Sequence, residues 1–306
     1  MVKKRHDDPD GDCGGRAGRG IVDLAYDAPP GTPAGLEVLT LAALRERAPE
    51  GLLTRPQRPA FHQIVAVDSG SATHTVDFTA HTLDAGSVLW VRPGQVQQFG
   101  DVSALEGTVV LVQPGFLPPG TAVSEAADDP FRPVLWRPAG GDREAVFCAV
   151  RHLATDFRTG AHLPAGIHTD VLRHLLSVLV LRLAHGSAVA SGAPVPGETF
   201  VRFRAAVERG FATHHRVADY ATVLGYAPRT LSRATTAAAG VGAKEFIDRR
   251  VTLEAKRLLA HSDLPAARIA DRLGFDDAAN FSKFFRQRTG LAPGAFRTAL
   301  RPHPAA

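Results

Sequence analysis

Cysteine and long apolar segments are both scarce in this sequence. Its 306 residues include two cysteines, Cys13 and Cys148, which stand far apart, so no disulfide framework is indicated and a reducing compartment is suggested. Residues 1–20 are polar and Gly-rich and lack the apolar core of a signal peptide, so we expect a disordered tail on a cytoplasmic protein. The most apolar run, LLSVLVLRLA at 175–184, is too short to span a bilayer and contains Arg182, so no membrane partner is expected.

Charge is distributed unevenly along the chain. The net charge is +4, yet residues 198–301 hold 18 of the 35 Lys and Arg and 10 of the 31 Asp and Glu, a local balance of +8 that leaves −4 for the rest. A basic C-terminal third on a mildly acidic body suggests a polyanion partner for that third alone. Because the chain is long for a single core, we expect two domains.

Short strand-like runs fill the first half of the chain. FHQIVAV (61–67) and THTVDFT (73–79) are β-branched or aromatic runs separated by the turn cluster 68–71, which predicts a hairpin. SVLWVRP (87–93) and GTVVLVQPG (107–115) supply further strands between Gly and Pro turns. Several short strands at this spacing favour a small barrel or jelly roll.

Helical spacing replaces the strand pattern after these runs. Residues 142–157 and 169–186 are predicted helices, and the second carries a leucine stripe at Leu172, Leu176, Leu179 and Leu183, widened by Leu175 and Val178. Two interpretations stay open. The stripe packs on its own barrel, or residues 169–185 form a dimerisation helix that lays it on a second copy. Residues 186–197 are small and contain proline, so a linker is predicted.

The remaining segment, 198–301, is predicted to be almost wholly helical. Gly and Pro divide it into helices at 198–214, 217–225, 227–240, 242–262, 264–274 and 276–290. Two short helices joined by a tight turn that contains Gly are typical of a helix-turn-helix, and this arrangement occurs twice.

One short pattern recurs at a separation of fifty residues. The matching positions are Leu231-Ser232-Arg233 and Phe281-Ser282-Lys283, Gly240 and Gly290, and Phe246 and Phe296. Packing explains the apolar matches and helix ends explain the glycines, and an array of helical hairpins in a scaffold would show the same. The cations Arg233 and Lys283 have no packing reason to match, which favours DNA as the partner.

A spacer of suitable length lies between the two copies. A rigid helix of some 20 residues spans about 30 Å. Neighbouring major grooves on one face of DNA are roughly 34 Å apart. Segment 242–262 is therefore predicted to hold two DNA-reading helices at this separation.

Two runs in this region carry a family pattern. IADRLGF…NFSKFFRQRTGLAPGAFR, within 269–297, and LGYAPRTLSRA, at 224–234, resemble the two units of the DNA-binding domain of the AraC/XylS family of bacterial transcription regulators. The run TTAAAG at 235–240 departs from the family, whose members usually have larger side chains there. The resemblance implies a sequence-specific DNA-binding regulator that activates by recruiting RNA polymerase, although repression also occurs in the family.

Carried over by position, the resemblance assigns the second helix of each unit to base edges in the major groove. The base-reading residues would be Arg229, Thr230, Ser232 and Arg233 in the first unit, and Ala278, Ala279, Asn280 and Lys283 in the second. Arg suits guanine and Asn suits adenine, whereas alanines offer only methyl contacts, so we predict that the first unit carries most of the base discrimination. Candidate phosphate contacts, each also explicable as a solvated or salt-bridged charge, are Lys244, Arg250, Arg286, Arg288 and Arg297.

The strand-rich half resembles the cupin-like effector domain of many such regulators. Cupin enzymes hold a metal with a His-x-His pair, a Glu and a later His, but here His74 and His81 are seven apart and Gln97-Gln98 stands near the place of the late histidine. We therefore expect neither a metal nor another cofactor, and no enzymatic activity. The expected fold class is α+β in two domains, a cupin-like barrel or jelly roll with flanking helices followed by an all-α domain.

A barrel without metal can still hold a small-molecule effector. The candidates are polar or aromatic residues on the predicted strands, each equally explicable as barrel core or exposed surface, namely His62, His74, Phe78, Trp90, Gln97 and Phe99. The expected parts are the tail 1–20, the effector domain 21–168, the candidate dimerisation helix 169–185, the linker 186–197 and the DNA-binding domain 198–301. Two alternatives remain: a DNA-binding regulator whose barrel only dimerises, and a cupin-type metalloenzyme with a helical appendage.

Overall fold

The computed structural model describes residues 21–27, 33, 35–119, 127, 133–191 and 197–300, with only the backbone of 185–191. The predicted tail at 1–20 lies outside the described residues. The chain divides into two compact units, the first containing Ile21–Gly192 and the second Ala193–Ala306. The first is rich in strands and the second is helical, so the predicted α+β class is confirmed. No helix among the described residues is long and apolar enough to cross a membrane.

The first unit is built from two five-stranded sheets. In chain order its strands, β1 to β10, are Val22–Leu24, Leu36–Thr40, Gln57–Pro59, His62–Ser69, Ser71–Val76, Thr79–Asp84, Val88–Val91, Gln97–Phe99, Glu106–Val112 and Leu135–Trp136. The first sheet has the order β1-β3-β8-β5-β6, and the second sheet has the order β10-β7-β4-β9-β2. Between β4 and β9 the chain changes sheet repeatedly, so the two sheets form one connected sandwich.

The second sheet is covered on both faces. Val65 and Leu89 pack between the two sheets with Phe99 of the first sheet, whereas Ile64 and Trp90, one residue along each strand, pack under helices. A strand buried on both faces has a continuous apolar run rather than an alternating one, which explains the sequence of β4 and β7. Each such side chain contributes about 1.5–3 kcal/mol when fully buried.

The helices of the first unit are α1 (Leu41–Arg47), α2 (Gly140–Thr159) and α3 (Ala165–Ser191), with a 3-10 turn at Gly160–His162. The predicted leucine stripe of α3 lies in the core with α2 and the second sheet, and its four leucines are at most 1% exposed. The stripe therefore packs on its own domain, and the interpretation in which these leucines form a dimer interface is corrected. The leucines are buried against the second sheet of the same chain, so their burial needs no second copy.

Two further predictions need correction. The predicted hairpin between 61–67 and 73–79 is absent, because β4 and β5 belong to different sheets and the chain crosses between them at Gly70. The hairpin is instead formed by β5 and β6 around Asp77-Phe78, which both have positive φ but lack the usual Gly signal. The predicted linker at 186–197 begins as helix, since α3 continues to Ser191 through alanines that favour helix.

The second unit consists of helices over its described residues. They are α4 (Glu198–Gly210), α5 (Val217–Leu224), α6 (Pro228–Ala239), α7 (Ala243–His261), α8 (Ala266–Arg272), α9 (Ala278–Thr289) and α10 (Pro293–Leu300). Helix α7 joins two cores: Phe246 and Ile247 pack with α4 to α6, while Leu258 and Leu259 pack with α8 and α9. We call α5–α6 the first reading unit and α8–α9 the second reading unit. At 19 residues, α7 is about 28 Å long.

Candidate functional site

The two reading units repeat one pattern of burial. Leu231 and Phe281 are fully buried at equivalent turns of α6 and α9, and Arg233 and Lys283 are exposed two residues later. Both helices end at a left-handed glycine. The fifty-residue match in the sequence therefore corresponds to two helices with the same buried face and with a cation at the same exposed place.

Basic side chains dominate the exposed surface of α6. Arg229 and Arg233 are exposed, and Thr230 and Ser232 are half-buried between them. The helix begins with Pro228 after an N-cap residue, Ala227, whose side chain makes no capping bond. No acidic residue occurs between 226 and 240. The positive end of the helix dipole and the two guanidinium groups therefore add to one attractive field for an anion.

Acidic side chains stand at the start of α9. Asp277 is the N-cap, and its carboxylate accepts from the backbone nitrogen of Asn280 at 2.7 Å and from Asn280 Nδ2 at 3.0 Å. The Asn280 amide is thus already engaged within the helix. Asp276 is exposed beside it, and Ala279 offers only a methyl group. The N-terminal turn of α9 is therefore more acidic and has fewer free polar side-chain groups than that of α6.

Two of the predicted phosphate contacts lie at the surface. Arg286 is exposed on α9. Lys244, at the start of α7, is exposed and has an ion pair with Asp248 at 2.5 Å. The Asp248 carboxylate is buried, whereas the Lys244 ammonium group is exposed and remains accessible to a phosphate.

Arg250 is held inside the protein. It is 8% exposed, and its guanidinium group pairs with Glu208 at 2.9 Å and Glu254 at 3.3 Å and lies 3.7 Å from the centre of the Phe211 ring. These contacts join α4 to the middle of α7. The structure gives Arg250 a structural role, and we no longer include it among the phosphate contacts.

Arg288 and Arg297 are also engaged by protein groups. Arg288 pairs with Glu245 at 2.5 Å and also with Asp248. Arg297 donates to the backbone oxygens of Leu259 and Leu264 and ties α10 to the end of α7. The sequence shows their charge but not these acceptors, which lie 33 to 43 residues away along the chain. Both are removed from the set of phosphate contacts.

Three of the six candidate effector residues meet in the interior between the two sheets of the first unit. Gln97 exchanges amide hydrogen bonds with Gln63, at 2.9 and 3.3 Å. The His74 ring contacts the Phe99 ring edge-on at 4.2 Å between centroids. Neither ring nitrogen of His74 makes a hydrogen bond of normal geometry among the described residues. Burial lowers the pKa of His74 to about 3, so the ring is neutral.

The other three candidates lie elsewhere. Trp90 and His62 are on the opposite, helix-covered face of the second sheet, where Trp90 Nε1 donates to His62 Nδ1 at 3.4 Å. Burial, and secondarily the charge of Arg92, lowers the pKa of His62 to about 3. Phe78 occupies the β5–β6 turn with φ of 70°, not a strand. Period-two alternation along β4 and β7 separates His62 and Trp90 from the interior group.

Sequence reasoning missed two buried polar groups of the first unit. Gln63 is buried and faces Gln97, and alternation along β4 from Val65 would have placed it inside. The hydroxyl of Tyr26 is buried without a hydrogen-bond partner among the described residues, and burial, aided by Glu37, raises its pKa to about 12. No sequence signal pointed to Tyr26. Within the described part of the chain, no group of three His, Cys, Asp or Glu side chains is arranged to hold a metal ion.

Comparison with known proteins gives two family matches. A family described as "AraC-like ligand binding domain" matches residues 40–137, and one described as "Helix-turn-helix domain" matches residues 220–299. Each match lies within one of the two units described above.

Curated relatives span both units. The chain is 25% identical over 263 residues to the HTH-type transcriptional activator RhaS of Klebsiella pneumoniae, covering 85% of this chain and 92% of the relative. It is 27% identical over 242 residues to RhaS of Salmonella heidelberg, covering 78% and 85%. The crystal structure of ToxT from Vibrio cholerae O395 aligns with a TM-score of 0.39 at 14% identity, covering 79% of this chain and 90% of ToxT. Both family matches and these relatives, which are transcriptional activators and not enzymes, support a regulator similar to the AraC/XylS family.

Proposed function

We propose that this protein is a transcription activator that binds a specific DNA site through both reading units and responds to a small molecule held in its first unit. One observation carries the DNA part: α6 and α9 repeat the same buried face with exposed cations at Arg233 and Lys283. A scaffolding repeat would need the buried face alone. The activator role is supported by the relatives, which are named transcriptional activators. Recruitment of RNA polymerase is proposed from the family resemblance, and binding to DNA would take place in the cytoplasm.

In this proposal the two reading units have unequal tasks. Arg229, Thr230, Ser232 and Arg233 make most of the base contacts, because a bidentate arginine on guanine gives about 1–3 kcal/mol of discrimination. The second reading unit presents Ala278, Ala279, Asn280 and Lys283, and it mainly positions the protein on the DNA. Lys244 and Arg286 are the remaining phosphate contacts, which fix register without selecting sequence.

The test of DNA binding is selection of duplexes from a random pool by the full-length protein, followed by affinity measurements against salt. We expect a motif that spans about two helical turns. We also expect log affinity to fall steeply with log salt, by about 0.9 for each phosphate neutralised. No motif and a flat salt dependence would contradict the proposal and would make the helical unit a protein-interaction domain.

The effector site that we propose is the interior around His74, Gln97, Gln63 and Phe99. These groups offer amide donors and acceptors, a neutral imidazole and an aromatic face. Because no charged side chain belongs to this group, it suits an uncharged polar ligand better than an ion. Its amides are paired to each other without ligand, so binding would exchange this pair for ligand contacts.

A thermal-shift screen of uncharged polar metabolites against the full-length protein tests the effector proposal. A compound at a hundred times its Kd stabilises the folded state by about 2.7 kcal/mol. The double substitution Gln63→Leu and Gln97→Leu keeps the core filled and should abolish that stabilisation. A hit that is unaffected by the double substitution would contradict this site. A complete absence of hits would favour the alternative in which the first unit only dimerises.

For dimerisation we propose the outer face of α3. With the leucine stripe buried, Ile167 (55% exposed), Val178 (44%) and Leu181 (44%) remain as large apolar side chains on the other side of the helix. Sedimentation of the full-length protein with Val178→Asp and Leu181→Asp is the test, and we expect loss of the dimer with the fold retained. An unchanged sedimentation coefficient would contradict this interface.

A further inference from the structure

Arg288 links the second reading unit to the beginning of helix α7. It lies near the C-terminal end of α9, where its Nη1 donates to Glu245 Oε2 at 2.5 Å and its Nη2 donates to Asp248 Oδ2. We call Arg288, Glu245 and Asp248 the brace. One guanidinium fork reaches two carboxylates on adjacent turns of another helix, a geometry that the single nitrogen of lysine cannot reproduce.

The two acidic residues of the brace lie on the part of α7 that packs with the first reading unit. They flank Phe246 and Ile247, which are at most 1% exposed and pack with α4 to α6. They are also held from their own helix, since Asp248 pairs with Lys244 at 2.5 Å and Glu245 pairs with Arg249 at 2.9 Å. Arg288 thus ties the reading helix of the second reading unit to the part of α7 that packs with the first.

A second contact joins the second reading unit to the loop between α4 and α5. Gly274, in the turn between α8 and α9, lies so close to the loop after α4 that a Cβ at this position would come within 2.5 Å of the Ala212 backbone oxygen. Phe275 and Phe284 of the second reading unit also pack against the core formed with α4 to α6. The brace and the Gly274 contact add to this packing at two different places, so together they restrict rotation of the second reading unit about α7.

Rotation between the units determines which DNA both can read at once. About 10–10.5 base pairs make one turn, so one inserted base pair rotates the second half-site by about 35° around the helix axis. A rigid pair of reading helices loses contacts at this altered spacing, whereas a flexible pair adapts. Spacing is therefore a component of specificity that needs no contact with a base.

We propose that Arg288 is a positioning residue that sets the spacing between the two half-sites that the protein accepts. This proposal depends on the proposed DNA-binding function. It assigns to Arg288 a role through Glu245 and Asp248 and not through the DNA backbone. The two roles predict different effects when the carboxylates are neutralised. If Arg288 contacts phosphate, loss of negative charge should strengthen DNA binding. If Arg288 acts through the brace, the same change should weaken the preference for one spacing.

The experiment uses full-length protein and the duplex that the wild type selects from a random pool, together with the same duplex carrying one inserted base pair between its half-sites. Arg288→Gln and the double variant Glu245→Gln/Asp248→Asn should each reduce the preference for the selected spacing on the order of tenfold. Affinity for a duplex with only the first half-site should stay within about twofold. Arg286→Gln is the matched control, since it removes the same charge from an exposed position of the same helix. We expect it to weaken binding to the selected duplex and to the duplex with the inserted base pair by the same factor.

Three results would overturn the proposal. If Arg288→Gln weakens every duplex equally while the carboxylate double variant binds more tightly, Arg288 is a phosphate contact. If both variants keep the full spacing preference, the brace does not position the units. A wild type that selects no motif removes the proposed function and the positioning role together, and this result differs from the other two because it appears before any variant is made. Should Arg288→Gln fail to fold, Arg288→Lys and the carboxylate variant provide the same comparison.

Discussion

The two reading units have the same internal packing and different outer chemistry. In both, a buried apolar residue, Leu231 or Phe281, anchors the reading helix, and a left-handed glycine ends it. The start of α6 carries arginine without any acidic neighbour, whereas the start of α9 carries two aspartates and two alanines. A core position constrains a side chain through its volume, but an exposed position does not, so a repeat can keep its fold while its recognition surfaces diverge.

The largest expected effect is on DNA affinity, which should fall much more when cations of α6 are removed than when the cation of α9 is removed. Arg229→Ala combined with Arg233→Ala should lower affinity for the selected duplex about a hundredfold, because two guanine contacts of about 1–3 kcal/mol each are lost. Lys283→Ala, the equivalent change in the second unit, should lower it only about threefold. Titrations on one duplex at fixed salt provide the measurement. Equal losses of DNA affinity in the two variants would contradict the proposed difference between the two reading helices.

Two turn glycines with the same φ of +70° test the packing of each unit. Gly225→Ala in the first reading unit should lower the free energy of unfolding by about 1–2 kcal/mol, from left-handed backbone strain alone. Gly274→Ala should cost about 1–3 kcal/mol more, since its Cβ meets the Ala212 backbone oxygen. Denaturant unfolding measures both. If the two substitutions cost the same, Gly274 is not the close contact that the brace account needs.

Substitutions at the N-cap residues of α9 and α6 should change the free energy of unfolding by smaller amounts and in opposite directions. Asp277→Ala removes a carboxylate that caps α9 and should destabilise the protein by about 1 kcal/mol. Ala227→Ser supplies a cap that α6 lacks and should stabilise it by about the same amount. Asp277→Ala should not weaken DNA binding, because it removes a negative charge near phosphate. A marked loss of DNA affinity in this variant would count against the secondary role of the second unit.

The smallest effect is a pH dependence of the brace. Hydrogen bonds from Arg288, then from Arg249, hold the pKa of Glu245 below its ordinary value of 4.5. A lowered pKa in the folded state stabilises the protein above the ordinary value, and this stabilisation is lost as pH falls through and below 4.5. Glu245→Gln should remove about 0.2–1 kcal/mol of this acid-dependent stability, since the pair is partly exposed. Unfolding free energies at about pH 7 and about pH 3.5 test it, and an unchanged slope would contradict the pairing.

The sequence predicted the parts of the structure that depend on local pattern. Three helices of the second unit end at Gly225, Gly240 and Gly290, as predicted. The doubled helix-turn-helix was predicted from the positions of Gly and Pro and from the fifty-residue repeat. The long apolar stripe of α3 was visible, but whether it covered the chain's own sheet or a second copy depended on tertiary packing. The stop expected at Gly186 also failed, because alanines on both sides continue the helix.

The site was less predictable because its residues depend on distant partners. Arg250 and Arg288 have the same exposed-cation signature in sequence as Arg286, and only the carboxylates across the fold distinguish them. In the first unit, Gln97 was identified but its partner Gln63 was not, since the pairing joins strands of different sheets. His62 and Trp90 were placed with Gln97 by composition, and strand alternation puts them on the other face.

The inequality of the two reading units is the central claim, and a base-by-base substitution scan of the selected duplex tests it most directly. Each base pair would be changed in turn and the loss of affinity for full-length protein measured at fixed salt. We predict losses of about 1–3 kcal/mol per substitution within the half-site bound by the first reading unit, and much smaller losses within the other half. Losses of equal size in both halves, or larger losses under α9, would contradict the account.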